Sequence, residues 1–163
     1  MTTSSDFTEQ EWEQVLEGPP SAGMIVITAQ RGGTFRETIS MAKAYAEARK
    51  EHGQSELLDT IVSAKPEIDH TRYRSPEELK EHALAHIRDA VSLLRSKAQP
   101  EELDEYRRFV MNLSRKVADA HREGGRGEDA TSEDEQRALA DVEQALGREC
   151  AGETAASLRA GPR

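Results

Sequence analysis

A chain of 163 residues with 36% hydrophobic and 33% charged side chains fits one domain that buries a core without disulfides or metals. Its formal charge of −9, from 31 acidic and 22 basic residues, argues against nucleic acid as a partner, because phosphate binding draws on a basic face. The lone cysteine excludes an intramolecular disulfide and suits a reducing compartment. The start, MTTSSDFTEQ, lacks the pattern of a signal peptide, and the longest mainly apolar run, Ala22 to Ala29, is too short to span a bilayer. A cytoplasmic, membrane-free protein is the expectation.

Four copies of one helix-start code parse the chain: Thr8–Glu11, Thr34–Glu37, Ser75–Glu78 and Ser132–Glu135. In each capping box the hydroxyl and the carboxylate satisfy two backbone N–H groups that the first helical turn leaves without partners. Residues 1–6 are small and polar and read as disordered. Phe7 and Trp12 flank the first box as a hydrophobic staple, and the helix they open is predicted over about Glu9–Glu17, stopped by Gly18-Pro19-Pro20.

Residues 24–29 are ambiguous. Their β-branched content favours a strand, but no other segment could pair with one, so a short buried helix is preferred. Gly32-Gly33 then break the chain. A helix over about Phe35–Glu51 follows, with Phe35, Ile39, Ala42 and Ala46 at helical spacing and Tyr45 flanking. Ser55 caps a short helix with Leu57, Leu58, Ile61 and Val62 on one face, ended by Lys65-Pro66.

After a polar connection over residues 65–75, Ser75-Pro76-Glu77-Glu78 opens a helix to about Lys97 with Leu79, Ala83, Ile87, Ala90, Val91 and Leu94 as its buried stripe. Pro100 begins the clearest helix, to about 123, with a seam of Leu103, Tyr106, Val110, Leu113, Val117 and Ala120. A glycine-rich loop over 124–131 leads to a last helix from Ser132 to Leu146, using Leu139, Val142 and Leu146, with Gly147 as its stop. Residues 148–163 read as a flexible tail. The fold class is therefore all-α: a single-domain helical bundle of about five to seven helices spanning residues 7–147.

Three constellations could carry chemistry. Arg31, Gly32, Gly33, Thr34 and Arg36 combine close backbone approach, a hydroxyl and two cations at a helix start, which suits a small anion, though Glu37 already places negative charge there. Asp69, His70, Arg72, Tyr73 and Arg74 crowd one loop and could line a pocket or merely pin the loop to the bundle. His82, His86 and Asp89 share a helix side at metal-ligand spacing, or are two boundary histidines beside acids; the string HALAH lacks the glutamate of a zinc-protease helix.

Arg108, Arg115 and Arg122 form a basic stripe, with Asp104 and Asp119 placed for ion pairs to Arg108 and Arg115 or the stripe open to an acidic partner. Cys150 has no histidine arrangement that would make it a nucleophile.

Several strings resemble an uncharacterised family of small all-helical bacterial proteins. They are Pro20-Ser21-Ala22-Gly23-Met24, Gly32-Gly33-Thr34-Phe35-Arg36-Glu37, Ala42-Lys43-Ala44-Tyr45, Tyr106-Arg107-Arg108-Phe109-Val110, Val117-Ala118-Asp119-Ala120 and Ser132-Glu133-Asp134-Glu135. The similarity covers most of residues 8–147 and implies no reaction. The C-terminal third also resembles TerB-like tellurite-resistance domains, in its alanine-rich helix, glycine-containing loop and Ser-x-x-Glu start, which implies a link to metal and stress responses. The resulting expectation is a non-enzymatic protein without a cofactor that binds a protein partner or a small anionic ligand. The alternative is a metal-binding protein or metal-dependent enzyme using His82, His86 and Asp89. Oligomeric state is not legible.

Overall fold

The computed structural model describes residues 1–29, 35–50, 55–66, 72–124 and 133–147, without the side chains of 35–38, 40 and 121–124. Among the described residues there are six α-helices and no strand: α1 (Glu9–Ala29), α2 (Phe35–Lys50), α3 (Glu56–Ser63), α4 (Pro76–Lys97), α5 (Pro100–Gly124) and α6 (Glu133–Ala145). None of these helices is long and apolar enough to cross a membrane. The central element is α1, which packs along α4 and against α5 and α6, while α2 lies on α5 and α3 at one side.

The first helix departs most from expectation. It does not stop at Gly18-Pro19-Pro20 but continues to Ala29 and absorbs the ambiguous apolar segment, so residues 24–29 are helical but not a separate helix. Met24, Ile25, Val26 and Ile27 are all buried, as on a helix enclosed on every side. Pro19 has no N–H for the carbonyl of Val15, four residues back, and a helix normally breaks at such a point. Here Tyr106, on α5 and only 1% exposed, donates its hydroxyl to Val15 O at 3.0 Å. Gly18 makes room for it, since a Cβ at that position would lie 2.0 Å from Tyr106 Oη. Burial holds the Tyr106 phenol well above its ordinary titration range, with nearby Tyr45 acting in the same direction, so the hydroxyl stays a donor. The motif that reads locally as a stop is a seat for a tyrosine.

The second difference concerns α2. Its inward residues are Met41, Ala44 and Tyr45, not the expected stripe: Ile39, Ala42 and Ala46 face outward, and the Phe35 side chain lies outside the described residues. Tyr45 meets Phe109 edge-on at 5.3 Å between ring centres, and Met41 occupies space that a Cβ on Gly23 would otherwise take. These contacts choose the face.

Elsewhere the hydrophobic pattern holds. All six stripe residues of α4 are buried. On α5, Leu103, Tyr106, Val110, Leu113 and Val117 are buried and Ala120 partly so, and Phe109, Met111 and Ala118 widen the seam. In α3 the burial falls on Leu57, Ile61 and Val62. In α6 it falls on Ala138, Val142 and Ala145, with Leu146 just beyond and Leu139 half-buried.

The helix starts are partly those read from sequence. Thr8 N–H donates to Glu11 Oε2 at 2.8 Å and Glu11 N–H to Thr8 Oγ1 at 3.3 Å, with the Phe7 and Trp12 rings 5.6 Å apart as the staple. Ser75 accepts from Glu78 N–H, but the Glu78 carboxylate takes the N–H of Arg74 rather than that of Ser75. Ser55 caps α3 by accepting from Leu58 N–H. Thr34 and Ser132 lie outside the described residues, as does the segment 148–163. Gly147 closes α6 at φ +68°, a conformation that favours glycine. Two helix C-terminal ends are held from a distance: Arg49 Nε donates to Val62 O at 2.6 Å and Arg107 Nε to Leu146 O at 2.8 Å.

Residues 1–6 are not a loose lead. Thr2 is buried, and its N–H and Oγ1 donate to the carboxylate of Glu102 at 2.9 and 2.5 Å, while Gln99 N–H donates to the same group at 2.9 Å. A short 3₁₀ turn over Ser4–Asp6 follows, and Lys97 binds both Asp6 O and Glu11 Oε2. Burial raises the Glu102 pKa, but the hydrogen bonds from Thr2 and Gln99 outweigh it and hold the carboxyl below its ordinary 4.5.

A folded-state pKa below the unfolded value contributes stability that is full above the unfolded pKa and disappears as pH falls through the folded one. Acidification below pH 4.5 should therefore loosen residues 1–8, with Asp6 and Glu11 (both also lowered by their hydrogen bonds) weakening together with Glu102. Trp12, the sole tryptophan, reports this through its Phe7 contact. Glu102→Ala leaves the Thr2 and Gln99 donors without their acceptor and should cost about 2 kcal/mol at neutral pH. The variant should also show a smaller acid-dependent change in Trp12 fluorescence. Superimposable acid profiles for the two proteins would refute this anchoring.

Candidate functional site

Two of the sequence-level constellations meet on one face. Arg72 and Tyr73 lie against the start of α4, where the Tyr73 ring stacks on His82 at 5.4 Å with a 31° tilt. One turn further along α4, His86 Nδ1 stands 3.5 Å from Glu17 Oε2 of α1, and Arg72 approaches the other oxygen of Glu17 at 3.9 Å. Glu17 is thus the hub, supplied by α1 from the turn just before Gly18-Pro19-Pro20. Its side chain is 44% exposed, so these pairs are open to water and individually weak. Arg74 contributes its backbone N–H to Glu78. Asp69 and His70 lie outside the described residues.

The geometry separates the two histidines. His82 faces the ring of Tyr73 and His86 faces the carboxylate of Glu17, while Asp89 is exposed. Among the described residues no three His, Cys, Asp or Glu side chains come together to hold a metal ion. Sequence spacing alone could not separate metal ligands from this arrangement, because Tyr73 and Glu17 arrive from other elements. The face ties Arg72 to α1 and Tyr73 to α4.

For the anion constellation, Arg31, Gly32, Gly33 and Thr34 lie outside the described residues, and so does the side chain of Arg36. Cys150 lies outside them too. On α5 the expected Asp104–Arg108 pair does not form: the Asp104 carboxylate takes Arg107 at 3.1 Å, and Arg108 Nε turns to the Asp104 backbone carbonyl. Arg107 also donates its Nε to Leu146 O at the end of α6. Arg108 and Arg115 are exposed, and the Arg122 side chain lies outside the described residues.

The remaining feature is the outer face of α2. Ile39 is 42% exposed and, with Met1, is one of two large hydrophobic side chains so exposed among the described residues. Ala42 and Ala46 continue its stripe at steps of three and four, and Lys43 and Lys50 are exposed alongside. Glu47 contacts Lys116 of α5 at the edge of this surface. Because the inward face of the same helix is already filled by Met41, Ala44 and Tyr45, α2 is apolar on two sides and uses only one of them in the fold. Helical spacing picked out this stripe, and the structure leaves Ile39, Ala42 and Ala46 exposed.

Comparison with protein-family models, with curated proteins and with solved structures finds no match to this chain.

Proposed function

We propose that this protein acts by binding a partner protein, without catalysis, and that the outer face of α2 is where the partner docks. The observation that supports the reading is the exposed stripe of Ile39, Ala42 and Ala46 on a helix whose opposite face supplies the core. An exposed apolar residue on its own needs no explanation, but a helix patterned for burial on two sides has one side that the monomer does not use. The Glu17, His86 and Arg72 group does not compete for this role, since its members are engaged with each other across α1 and α4. The anion-binding reading rests on residues 31–36, whose side chains the structure does not describe, and the stress-related reading rests on resemblance alone.

Ile39→Asp should leave unfolding stability within about 0.5 kcal/mol, as expected of a surface substitution. In a quantitative native pull-down it should remove proteins that both the unaltered chain and an Arg108→Glu variant retain, since Arg108 is exposed on a different helix. A retained set that is the same with and without Ile39→Asp would refute docking at α2.

A further inference from the structure

The charge around the α2 stripe is opposite to that of the chain as a whole. Lys43 lies one turn beyond Ile39, and Lys50 one turn beyond Ala46, so both line the same flank of the stripe. Lys116 reaches Glu47 from α5. The Glu47 carboxyl is held below its ordinary range by its hydrogen bond to Lys116 and then by that lysine's charge, with Lys50 and Lys43 adding to the effect. All three ammonium groups therefore act on one carboxylate, and the flank is locally positive on a chain of formal charge −9. Among the described residues Lys43 and Lys50 have no ion-pair partner.

We infer that the outer face of α2 receives an acidic amphipathic helix of a partner protein. The partner's apolar stripe lies over Ile39, Ala42 and Ala46, and its carboxylates face Lys43 and Lys50. This rests on the reading of α2 as a docking face and specifies the chemistry of what docks. The two alanines let a second helix approach toward the short end of the roughly 8–10 Å interaxial range, and Ile39 supplies the side chain that interlocks. The lysine flank gives orientation and excludes basic partners by like-charge repulsion. An anionic bilayer would meet the same lysines, but a stripe with one large apolar side chain offers little to insert. A second copy docking through the same face brings another Lys43 and Lys50 and not the excess of carboxylates that this flank would attract.

The test uses the full chain and a synthetic amphipathic peptide of about 18 residues, long enough to form a helix, with leucine along one face and glutamate on its flanks. A second peptide carries lysine in place of every glutamate. Fluorescence anisotropy should show the acidic peptide binding about tenfold or more tightly than the basic one, weakening as salt rises. Lys43→Glu/Lys50→Glu should reverse that preference, and Ile39→Asp should abolish binding of both peptides, with helical circular dichroism unchanged in each variant. Equal or stronger binding of the basic peptide overturns the acidic partner while leaving α2 as a docking face. Failure of both peptides to bind overturns both readings. Sedimentation of the chain onto anionic vesicles that is lost in Lys43→Glu/Lys50→Glu, or a dimer that is lost in Ile39→Asp, would also overturn the proposal in favour of a membrane or a second copy.

Discussion

Gly18→Ala should be among the most damaging single-methyl additions available to this chain, lowering stability by about 2–3 kcal/mol. A Cβ there would stand 2.0 Å from Tyr106 Oη, 3.3 Å from Tyr106 Cζ and 3.4 Å from Ala90 Cβ. The tyrosine cannot yield easily: it is fully buried on α5, and its hydroxyl is fixed by the bond to Val15 O. Overpacking of this kind costs about 1–3 kcal/mol, displacing the hydroxyl forfeits a buried hydrogen bond of about 1–2 kcal/mol more, and the helix preference of alanine over glycine returns about 1 kcal/mol.

The melting temperature should fall by about 5–10 °C. Gly23→Ala is the internal control. Its added Cβ would meet Met41 Cε at 2.2 Å, but that atom is the far end of a flexible chain, so the net loss should be about 1 kcal/mol or less. A Gly18→Ala protein as stable as the parent, or one harmed no more than Gly23→Ala, would show that Tyr106 is not seated against the α1 backbone.

What the sequence disclosed and what it hid divide along the distance between partners. Features set within one turn were legible: the Thr8–Glu11 box with its Phe7–Trp12 staple, the Ser75 and Ser55 caps, the glycine after α6, and the buried stripe of α4. Features that need a partner from another helix were not. The donor that replaces the missing N–H of Pro19 comes from Tyr106, the carbonyls at the ends of α3 and α6 are met by Arg49 and Arg107, and the N-terminal residues are fixed by Glu102. Tyr106 was legible as a seam residue of α5, but its hydroxyl's target was not.

The α2 error has a different cause. Alanines at 42, 44, 46 and 48 surround that helix, so apolar periodicity fits two faces, and only the ring of Phe109 and the notch at Gly23 select Met41, Ala44 and Tyr45 as core. The rejected face is the one we propose as a docking surface. The constellation around Thr34 lies outside the described residues, and the two histidines, spaced for a metal, face Tyr73 and Glu17 instead.

Removing the Tyr106 hydroxyl tests the long first helix more sharply than removing the prolines. In Tyr106→Phe the ring still fills its place, but the Val15 carbonyl, on a fully buried residue, loses its donor, and Pro19 has no N–H to replace it. The expected cost is about 1–3 kcal/mol, the penalty for a buried acceptor without a partner. Pro19→Ala changes the arithmetic, because an alanine at 19 restores the backbone N–H that a continuous helix directs at Val15 O. In that background the hydroxyl becomes a second, dispensable donor, and Tyr106→Phe should cost about 0.5 kcal/mol. The two substitutions should therefore couple by about 1–2 kcal/mol in urea unfolding followed by Trp12 fluorescence, although residues 19 and 106 lie on different helices. Pro19→Ala alone need not be stabilising, since the ring it removes is buried, so the informative quantity is the difference between the two Tyr106→Phe measurements. Equal costs in both backgrounds would mean that the tyrosine supports α1 by packing alone, and that Gly-Pro-Pro is tolerated mid-helix without a replacement for the lost hydrogen bond.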